Sequence, residues 1–238
     1  MRNHTKNTRI LLIDNYPKGT QTDRIARIQE IVNCMRVEIE LKTIHFSQFI
    51  YEKMEKANGI IISGSSFNVS SFYYNEKLKK KFLSQINIIQ NSIEIPIFAI
   101  CFGHHLVAYT YGAQICRMGL PDSGGNIIFI KFNKTDELIN QKKIPVNTHH
   151  LDFISPNDCK IQQQFNIKAT SRIMGYHIIQ YMQHIKKPIF SLQFHPETHN
   201  IQSFNSLNEH IIKKTISIGS EIIENFIRFC CHKQQNIS

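Results

Sequence analysis

Residues 95–106 read Ile-Pro-Ile-Phe-Ala-Ile-Cys-Phe-Gly-His-His-Leu, a pattern that predicts a buried strand running directly into a helix. The apolar run ends at Cys101, with a small residue two positions before it (Ala99) and another two positions after it (Gly103). A tight strand-to-helix turn requires such residues, because bulkier side chains would clash across it. The segment therefore predicts an α/β architecture with a cysteine at the turn.

This turn gives Cys101 the surroundings of a nucleophile. It exposes the thiol at the carboxyl end of a strand, where open α/β sheets bind ligands. It also places the sulfur at a helix N-terminus, whose dipole favours the thiolate. We therefore interpret Cys101 as a nucleophile rather than as a buried small hydrophobic residue, the commonest role of a free cysteine.

Alternating strand and helix patterns extend over the first half of the chain. Short apolar runs at 9–14, 59–64 and 95–100 predict strands buried on both faces, and the alternating segment 37–44 predicts a further strand. Helices are predicted at 20–34, 46–57 and 75–90. Repeated βα units imply a parallel, doubly wound sheet with right-handed crossovers.

The second half of the chain has a different character. From Ala113 to Phe194 the segments are short and β-rich, with turns such as residues 121–125, which favours antiparallel additions to the sheet. A last helix is predicted from Asn208 to about Cys231, interrupted or kinked near residues 218–220.

Together the patterns predict one domain over residues 1–238, with 1–8 and 234–238 flexible. Its predicted fold class is α/β and flavodoxin-like, with a doubly wound, mainly parallel central sheet. Helices cover both faces, and the second half contributes a β-rich antiparallel addition.

Composition excludes several classes of function. No run approaches the roughly 18 uncharged apolar residues of a membrane helix, and no secretory signal is evident, so we expect a cytoplasmic protein without a membrane partner. Six cysteines lack framework spacing, which favours reduced thiols, and we expect neither a metal nor a cofactor.

The formal net charge of +10 does not predict nucleic-acid binding, because the basic residues are dispersed. The one dense run, at residues 76–81, is typical of a solvated helix face. The charge could equally favour docking on an acidic partner.

Two segments resemble class I glutamine amidotransferases. Residues 99–105, Ala-Ile-Cys-Phe-Gly-His-His, look like the nucleophile elbow of that family, G-I/V-C-x-G-H/M-Q. Residues 191–197, Ser-Leu-Gln-Phe-His-Pro-Glu, resemble its signature G-x-Q-F/G-H-P-E. The resemblance implies a catalytic triad of Cys101, His195 and Glu197. In it the Cys101 thiolate attacks a γ-glutamyl amide, His195 acts as acid and base, and Glu197 orients the imidazole.

The resemblance also implies an oxyanion hole formed by the backbone amides of Phe102 and Gly64. Gly64 lies in the segment Ile-Ser-Gly-Ser-Ser at residues 62–66, where many relatives carry Gly-Gly-Pro. The Ser-Gly-Ser version resembles the GMP-synthase-like branch, which includes γ-glutamyl peptidases.

The resemblance also implies that two histidines and one aspartate take part in substrate binding. Residues 146–152, Val-Asn-Thr-His-His-Leu-Asp, resemble a V-x-x-S-H-x-D segment and place His150 and Asp152 at the mouth of the site. His105 stands where the family usually has a glutamine that helps to hold the substrate's amino-acid end. An imidazole differs from a carboxamide in reach and in hydrogen-bonding capacity.

The resemblance thus implies hydrolysis of a γ-glutamyl amide through a cysteine thioester, with release of glutamate and ammonia or an amine. The expected partners are glutamine or a γ-glutamyl small molecule and a separate ammonia-accepting synthetase chain, since no Gly-rich phosphate loop is present. Two alternatives remain open. One is a stand-alone γ-glutamyl peptidase. The other is a weak or inactive amidotransferase-fold subunit of a larger complex, which His105 favours.

Overall fold

A computed structural model describes residues 7–18, 20, 22–51, 56–119, 126–199 and 208–235. Within these ranges eleven strands form a nine-stranded mixed sheet and a separate two-stranded sheet. The strands are β1 (Thr8–Asp14), β2 (Ile39–His45), β3 (Gly59–Ile62), β4 (Ile97–Ile100), β5 (Ile115–Arg117), β6 (Asn126–Phe132), β7 (Lys143–Thr148), β8 (Asp152–Ile154), β9 (Phe165–Ile173), β10 (Tyr176–His184) and β11 (Ile189–Leu192).

In the first half of the chain the helices alternate with the strands, and in the second half a long helix follows the last strand. They are α1 (Thr22–Asn33), α2 (Glu76–Lys80), α3 (Leu83–Asn91), α4 (Phe102–Thr110), α5 (Cys159–Gln164) and α6 (Glu209–Gln235). A short 3-10 helix, Val69–Tyr73, precedes α2. None of the described helices combines the length and apolar character that crossing a bilayer requires.

The large sheet has the order β2-β1-β3-β4-β11-β10-β9-β6-β7. Strands β2, β1, β3, β4 and β11 are parallel, whereas β10, β9, β6 and β7 add antiparallel pairings. Every residue of β3, β4 and β11 is buried, as continuous apolar runs predict for strands covered on both faces. The predicted α/β fold, with a parallel half and an antiparallel addition, is confirmed.

Helices cover both faces of the sheet. On one face, apolar residues of α1 and α6 pack on β1, β4 and β11 in one hydrophobic cluster. On the other face, α3, α4 and α5 contribute to a second cluster that includes Phe82 and Phe102. The carboxyl ends of β3, β4 and β11 thus meet at one edge, with a helix layer on each side.

Some predicted element boundaries differ from the structure. The helix predicted at 75–90 is divided into α2 and α3, because Phe82 turns inward at the break and stacks on Phe46 and Phe72 at centroid distances of 5.0 and 5.5 Å. The helix predicted at 46–57 begins instead as a turn, and residues 52–55 lie outside the described ranges.

The last helix runs without interruption through Gly219, so an interruption near residues 218–220, one of the two predicted alternatives, is wrong. The glycine serves close packing there: a Cβ at Gly219 would overlap the carbonyl oxygen of Pro196. Of the ends predicted to be flexible, residues 1–6 and 236–238 lie outside the described ranges, as does the predicted turn at 121–125. Thr8, however, begins β1, and its hydroxyl donates a 2.8 Å hydrogen bond to Gln234 Oε1 in α6.

Candidate active site

Cys101 lies at the turn between β4 and α4, at the carboxyl edge of the parallel strands. Its backbone N–H donates to Leu192 O at 2.8 Å, which extends the pairing of β4 with β11 by one bond. Its φ of 50° and ψ of −98° lie in a region that L-residues rarely adopt. A Cβ at Gly103 would come within 2.7 Å of Ile62 O, so the backbone of β3 is what requires a glycine after the cysteine.

His195 and Glu197 follow β11 in a short loop tied down by Asn147 and Thr198. His195 N–H donates to Asn147 O at 2.9 Å, and Asn147 Nδ2 donates to Thr198 Oγ1 at 2.9 Å. The hydroxyl of Thr198 donates back to His195 O at 2.7 Å. Both ends of the loop are therefore held by hydrogen bonds.

The structure brings Cys101, His195 and Glu197 together. His195 Nδ1 lies 2.7 Å from Glu197 Oε1, and the imidazole is near enough to Cys101 for the two side chains to interact electrostatically. The opposite ring nitrogen, Nε2, lies 3.4 Å from His149 O, and Cys101 Sγ lies 3.8 Å from the same oxygen. His195 is 4% exposed and Glu197 is 1% exposed, so the pair is shielded from bulk water.

Arg24, in the first turn of α1, forms an ion pair with Glu197, with Nη1 3.2 Å from Oε1. Sequence reasoning missed this residue, because no motif surrounds it and its approach depends on how α1 packs. Burial alone would raise the pKa of Glu197, but His195 and Arg24 outweigh burial and lower it to about 2. Burial and Arg24 would lower the pKa of His195, yet attraction to Glu197 and Cys101 raises it to about 9.

A cavity of about 240 Å³ opens above these groups. Of the residues predicted from sequence, Cys101, Phe102, His105, His150, Asp152 and His195 line it. Gly64 lies beside them: a Cβ there would be 2.5 Å from the Tyr16 hydroxyl and 3.2 Å from His195 Cε1. Tyr16 and Arg24 also line the cavity and were not predicted.

The polar residues at the mouth of the cavity differ in the hydrogen bonds that they already make within the protein. Both carboxylate oxygens of Asp152 accept hydrogen bonds from Ser70, from the backbone N–H at 2.8 Å and from the hydroxyl at 2.7 Å. His150 Nδ1 donates to the carbonyl oxygen of Asp152 at 2.9 Å. His105 Nε2 lies 2.7 Å from Gln193 Oε1. Gln193 belongs to the sequence motif around His195 but had no predicted role.

No group of three or more His, Cys, Asp or Glu side chains within the described ranges is arranged to hold a metal ion. All six cysteines are free thiols, with Cys34 and Cys159 exposed and Cys230 buried. Cys101, predicted to be exposed by its turn, is only 5% exposed, although it lines the cavity. The side chains gathered at the cavity include a thiol, an imidazole and, behind the imidazole, a carboxylate.

Stability should depend on the protonation of His195. Because its folded pKa of about 9 exceeds the ordinary 6.5, its stabilisation is complete below pH 6.5 and is lost as the pH rises through 9. The pKa of Glu197 is lowered to about 2, so the stabilisation of the fold by this carboxylate is lost only as the pH falls below 4.5 towards 2.

We therefore expect the difference in unfolding free energy between the native protein and His195→Gln to shrink by about 3 kcal/mol between roughly pH 6 and pH 10. Urea unfolding of both proteins across this range measures it. A difference independent of pH would mean that His195 is not charged in the folded state.

Comparisons with known proteins agree with this geometry. The sequence model of the family Glutamine amidotransferase class-I matches residues 11–213. A GMP synthase (glutamine-hydrolyzing) subunit of Thermoplasma volcanium is 26% identical over 187 residues, which are 78% of each chain. The subunit of the same name from Methanocaldococcus jannaschii is 28% identical over 186 residues, or 76% of this chain and 79% of the relative.

The fold has solved counterparts as well. The crystal structure of a glutamine amidotransferase from Thermotoga maritima superposes with a TM-score of 0.66 over 94% of this chain and 98% of that one, at 15% identity. With most of its length matched by the family's sequence model, this chain belongs to the class I glutamine amidotransferases.

Proposed function

We propose that this chain hydrolyses the side-chain amide of glutamine to glutamate and ammonia, with Cys101 as the nucleophile. The observation that carries the proposal is the placement of a thiol at a strand-to-helix turn, beside an imidazole that is hydrogen-bonded to a buried carboxylate. Such an arrangement activates a thiol and fixes the orientation of its base. It supports the triad roles proposed for Cys101, His195 and Glu197.

The proposed reaction proceeds in two steps. The Cys101 thiolate attacks the amide carbon, and His195 protonates the leaving nitrogen, so that ammonia departs and a γ-glutamyl thioester remains. His195 then takes a proton from water, the resulting hydroxide attacks the thioester, and glutamate leaves while the thiolate is restored. Glu197 accepts a hydrogen bond from His195 Nδ1 throughout and stabilises the imidazolium.

Two backbone amides are proposed as the oxyanion hole. Phe102 is the first residue of α4, and the first N–H groups of a helix have no partner within the helix. Gly64 follows β3, and its lack of a side chain lets the backbone approach His195. Together they would donate to the oxygen that becomes negative in the tetrahedral intermediate.

His150 is proposed to receive the α-ammonium group of glutamine. Because a carbonyl oxygen only accepts, the 2.9 Å bond to Asp152 O requires the proton to be on Nδ1 of His150. Burial lowers the pKa of His150 to about 3, so the ring is neutral and Nε2 carries a lone pair. That Nε2 atom is buried without a hydrogen-bond partner among the described residues. Asp152 would then act indirectly, by holding His150 and the Ser70 backbone.

We further propose that the ammonia is passed to a separate synthetase chain. Relatives that match over three quarters of this chain are named as one subunit of a GMP synthase, and such a name implies a second chain. The net charge of +10 suits docking on an acidic partner. We place the reaction in the cytoplasm, which the six free thiols favour.

Glutamate release from free glutamine, compared with release from γ-glutamyl dipeptides, tests the substrate. We expect glutamine to be hydrolysed at least about tenfold faster in kcat/KM; the reverse order would instead identify a γ-glutamyl peptidase. A glutamine-like chloroketone should modify Cys101 and none of the other five thiols. Unselective labelling, together with release no faster than in Cys101→Ala, would mean that the fold serves a non-catalytic role.

A further inference from the structure

The imidazole ring of His105 forms a hydrogen bond with the side chain of Gln193. His105 Nε2 lies 2.7 Å from Gln193 Oε1. Both residues are buried, at 3% and 0% exposure. Burial lowers the pKa of His105, which keeps the ring neutral. A ring with its proton on Nε2 donates to the oxygen end of the Gln193 carboxamide and thereby determines where the nitrogen end points.

The nitrogen end of Gln193 points at the nucleophile. Its Nε2 donates to Cys101 Sγ at 3.9 Å, and its backbone N–H donates to Gln180 O at 3.0 Å. An N–H donor stabilises a negatively charged sulfur more than a neutral thiol, because hydrogen bonds to ions are about twice as strong. If the carboxamide were reversed, its oxygen would face the thiolate and repel it. The hydrogen bond of His105 opposes that reversal.

We propose that Gln193 donates a hydrogen bond to the Cys101 thiolate and that His105 is a positioning residue that holds Gln193 in this orientation. The inference rests on the proposed role of Cys101 as nucleophile. It differs from the role that the family resemblance implies for position 105, because His105 here acts through Gln193 and does not need to touch the amino-acid end of the substrate.

Other titratable groups surround His105 and Cys101, and a test of the proposal has to leave these groups unchanged. Those that interact with Cys101 are His195, Arg24 and Tyr16. Those that interact with the ring of His105 are Asp152, His195, His150 and the neighbouring His104. Substitutions at positions 105 and 193 leave all of these groups in place. A change in the reactivity of the Cys101 thiol therefore reports on the hydrogen bonds from His105 to Gln193 and from Gln193 to Cys101.

Two substitutions at position 105 form a matched pair. In His105→Gln the amide nitrogen reaches about as far as imidazole Nε2, so a donor to Gln193 Oε1 is retained. In His105→Asn the amide reaches only about as far as Nδ1, so the donor is lost while a polar side chain remains. Gln193→Met removes the proposed donor to sulfur and keeps a side chain of similar length and volume.

The readout is the pH dependence of iodoacetamide alkylation at Cys101, followed by mass spectrometry of its peptide in the absence of glutamine. We expect alkylation near pH 7 to be about tenfold slower in His105→Asn and in Gln193→Met, with the midpoint about one pH unit higher. His105→Gln should stay within about twofold of the native rate. Alkylation of the exposed Cys34 and Cys159 should be unchanged in every variant and serves as an internal control.

A double substitution separates action through Gln193 from an independent effect. In the Gln193→Met background, His105→Asn should cause no further loss, because the residue through which it acts is gone. Fully additive losses, or native alkylation in His105→Asn, would overturn the proposal. Native alkylation with a raised KM for glutamine would instead make His105 a substrate-binding residue. Since alkylation needs no turnover, these outcomes are distinct from a failure of the proposed glutamine hydrolysis.

Discussion

Replacing Cys101 with glycine is expected to abolish glutamine hydrolysis and to give a protein about 1 kcal/mol more stable than Cys101→Ala. Both variants lack the sulfur, so both should lose at least about 10³-fold in the rate of glutamate release. They differ in backbone strain. A non-glycine residue held at a φ of 50° and ψ of −98° costs about 1–3 kcal/mol, whereas glycine adopts this conformation freely.

The expected gain is smaller than the full strain, because glycine also adds about 0.5–1 kcal/mol of freedom to the unfolded chain. Glutamate release and urea unfolding of the two variants measure the two effects. Cys230 provides the control, since it is buried in helix α6. There glycine should be less stable than alanine by about 1 kcal/mol, the opposite sign. Equal signs at the two positions would show that the turn at Cys101 is not strained.

Gly219→Ala is expected to destabilise the protein by about 2–3 kcal/mol and to reduce kcat by about 10²-fold. In an ordinary helix interior the same change stabilises by up to about 1 kcal/mol. Here the added methyl group would overlap the carbonyl oxygen of Pro196, which lies between His195 and Glu197. The atoms in conflict are backbone atoms, so no rotation of a side chain relieves it. Either α6 or the loop has to move, and a displacement of the loop misplaces the imidazole.

Ser217→Ala is the matched control, because Ser217 lies two residues earlier in the same helix and is exposed. It should leave activity unchanged and alter stability by less than about 0.5 kcal/mol. Thermal unfolding and glutamate release are measured for both variants. A Gly219→Ala protein with native kcat would mean that the loop tolerates the added methyl group.

The fold could be predicted because it depends on local pattern, whereas the triad was implied by the resemblance of two motifs to a known family. Apolar runs such as 59–64 and 95–100 specify buried strands wherever they occur, and alternation of strand and helix implies their parallel order. Cys101 follows the strand predicted at 95–100, and the turn there predicts a nucleophile. That His195 lies beside it, although 94 positions (195 − 101) separate them, was implied by the family resemblance alone, since the segments from Ala113 to Phe194 predict antiparallel additions. In the structure β11 runs parallel to β4, which brings both residues to one edge of the sheet.

Arg24 and Gly219 could not be found in the same way, because their roles depend on how two helices pack. Arg24 reaches Glu197 only because α1 lies against the loop that follows β11, and no spacing in the sequence expresses that contact. Gly219 was interpreted as a break, since glycine weakens an isolated helix. In the folded protein the close approach to Pro196 outweighs that preference. Position 105 showed a departure from the family, but only coordinates connect it to Gln193.

The loop that carries His195 packs against α6, and α6 is synthesised after all three triad residues. Translation completes Cys101, His195 and Glu197 before it reaches Gly219 and Phe226, whose ring stacks on Phe98 of β4 at 5.1 Å. A growing chain that has not yet reached this helix carries every triad residue, but it lacks the part of the sheet's cover that α6 provides and the contact of α6 with Pro196. The contact between α6 and the histidine loop can therefore form only after synthesis has passed the catalytic residues.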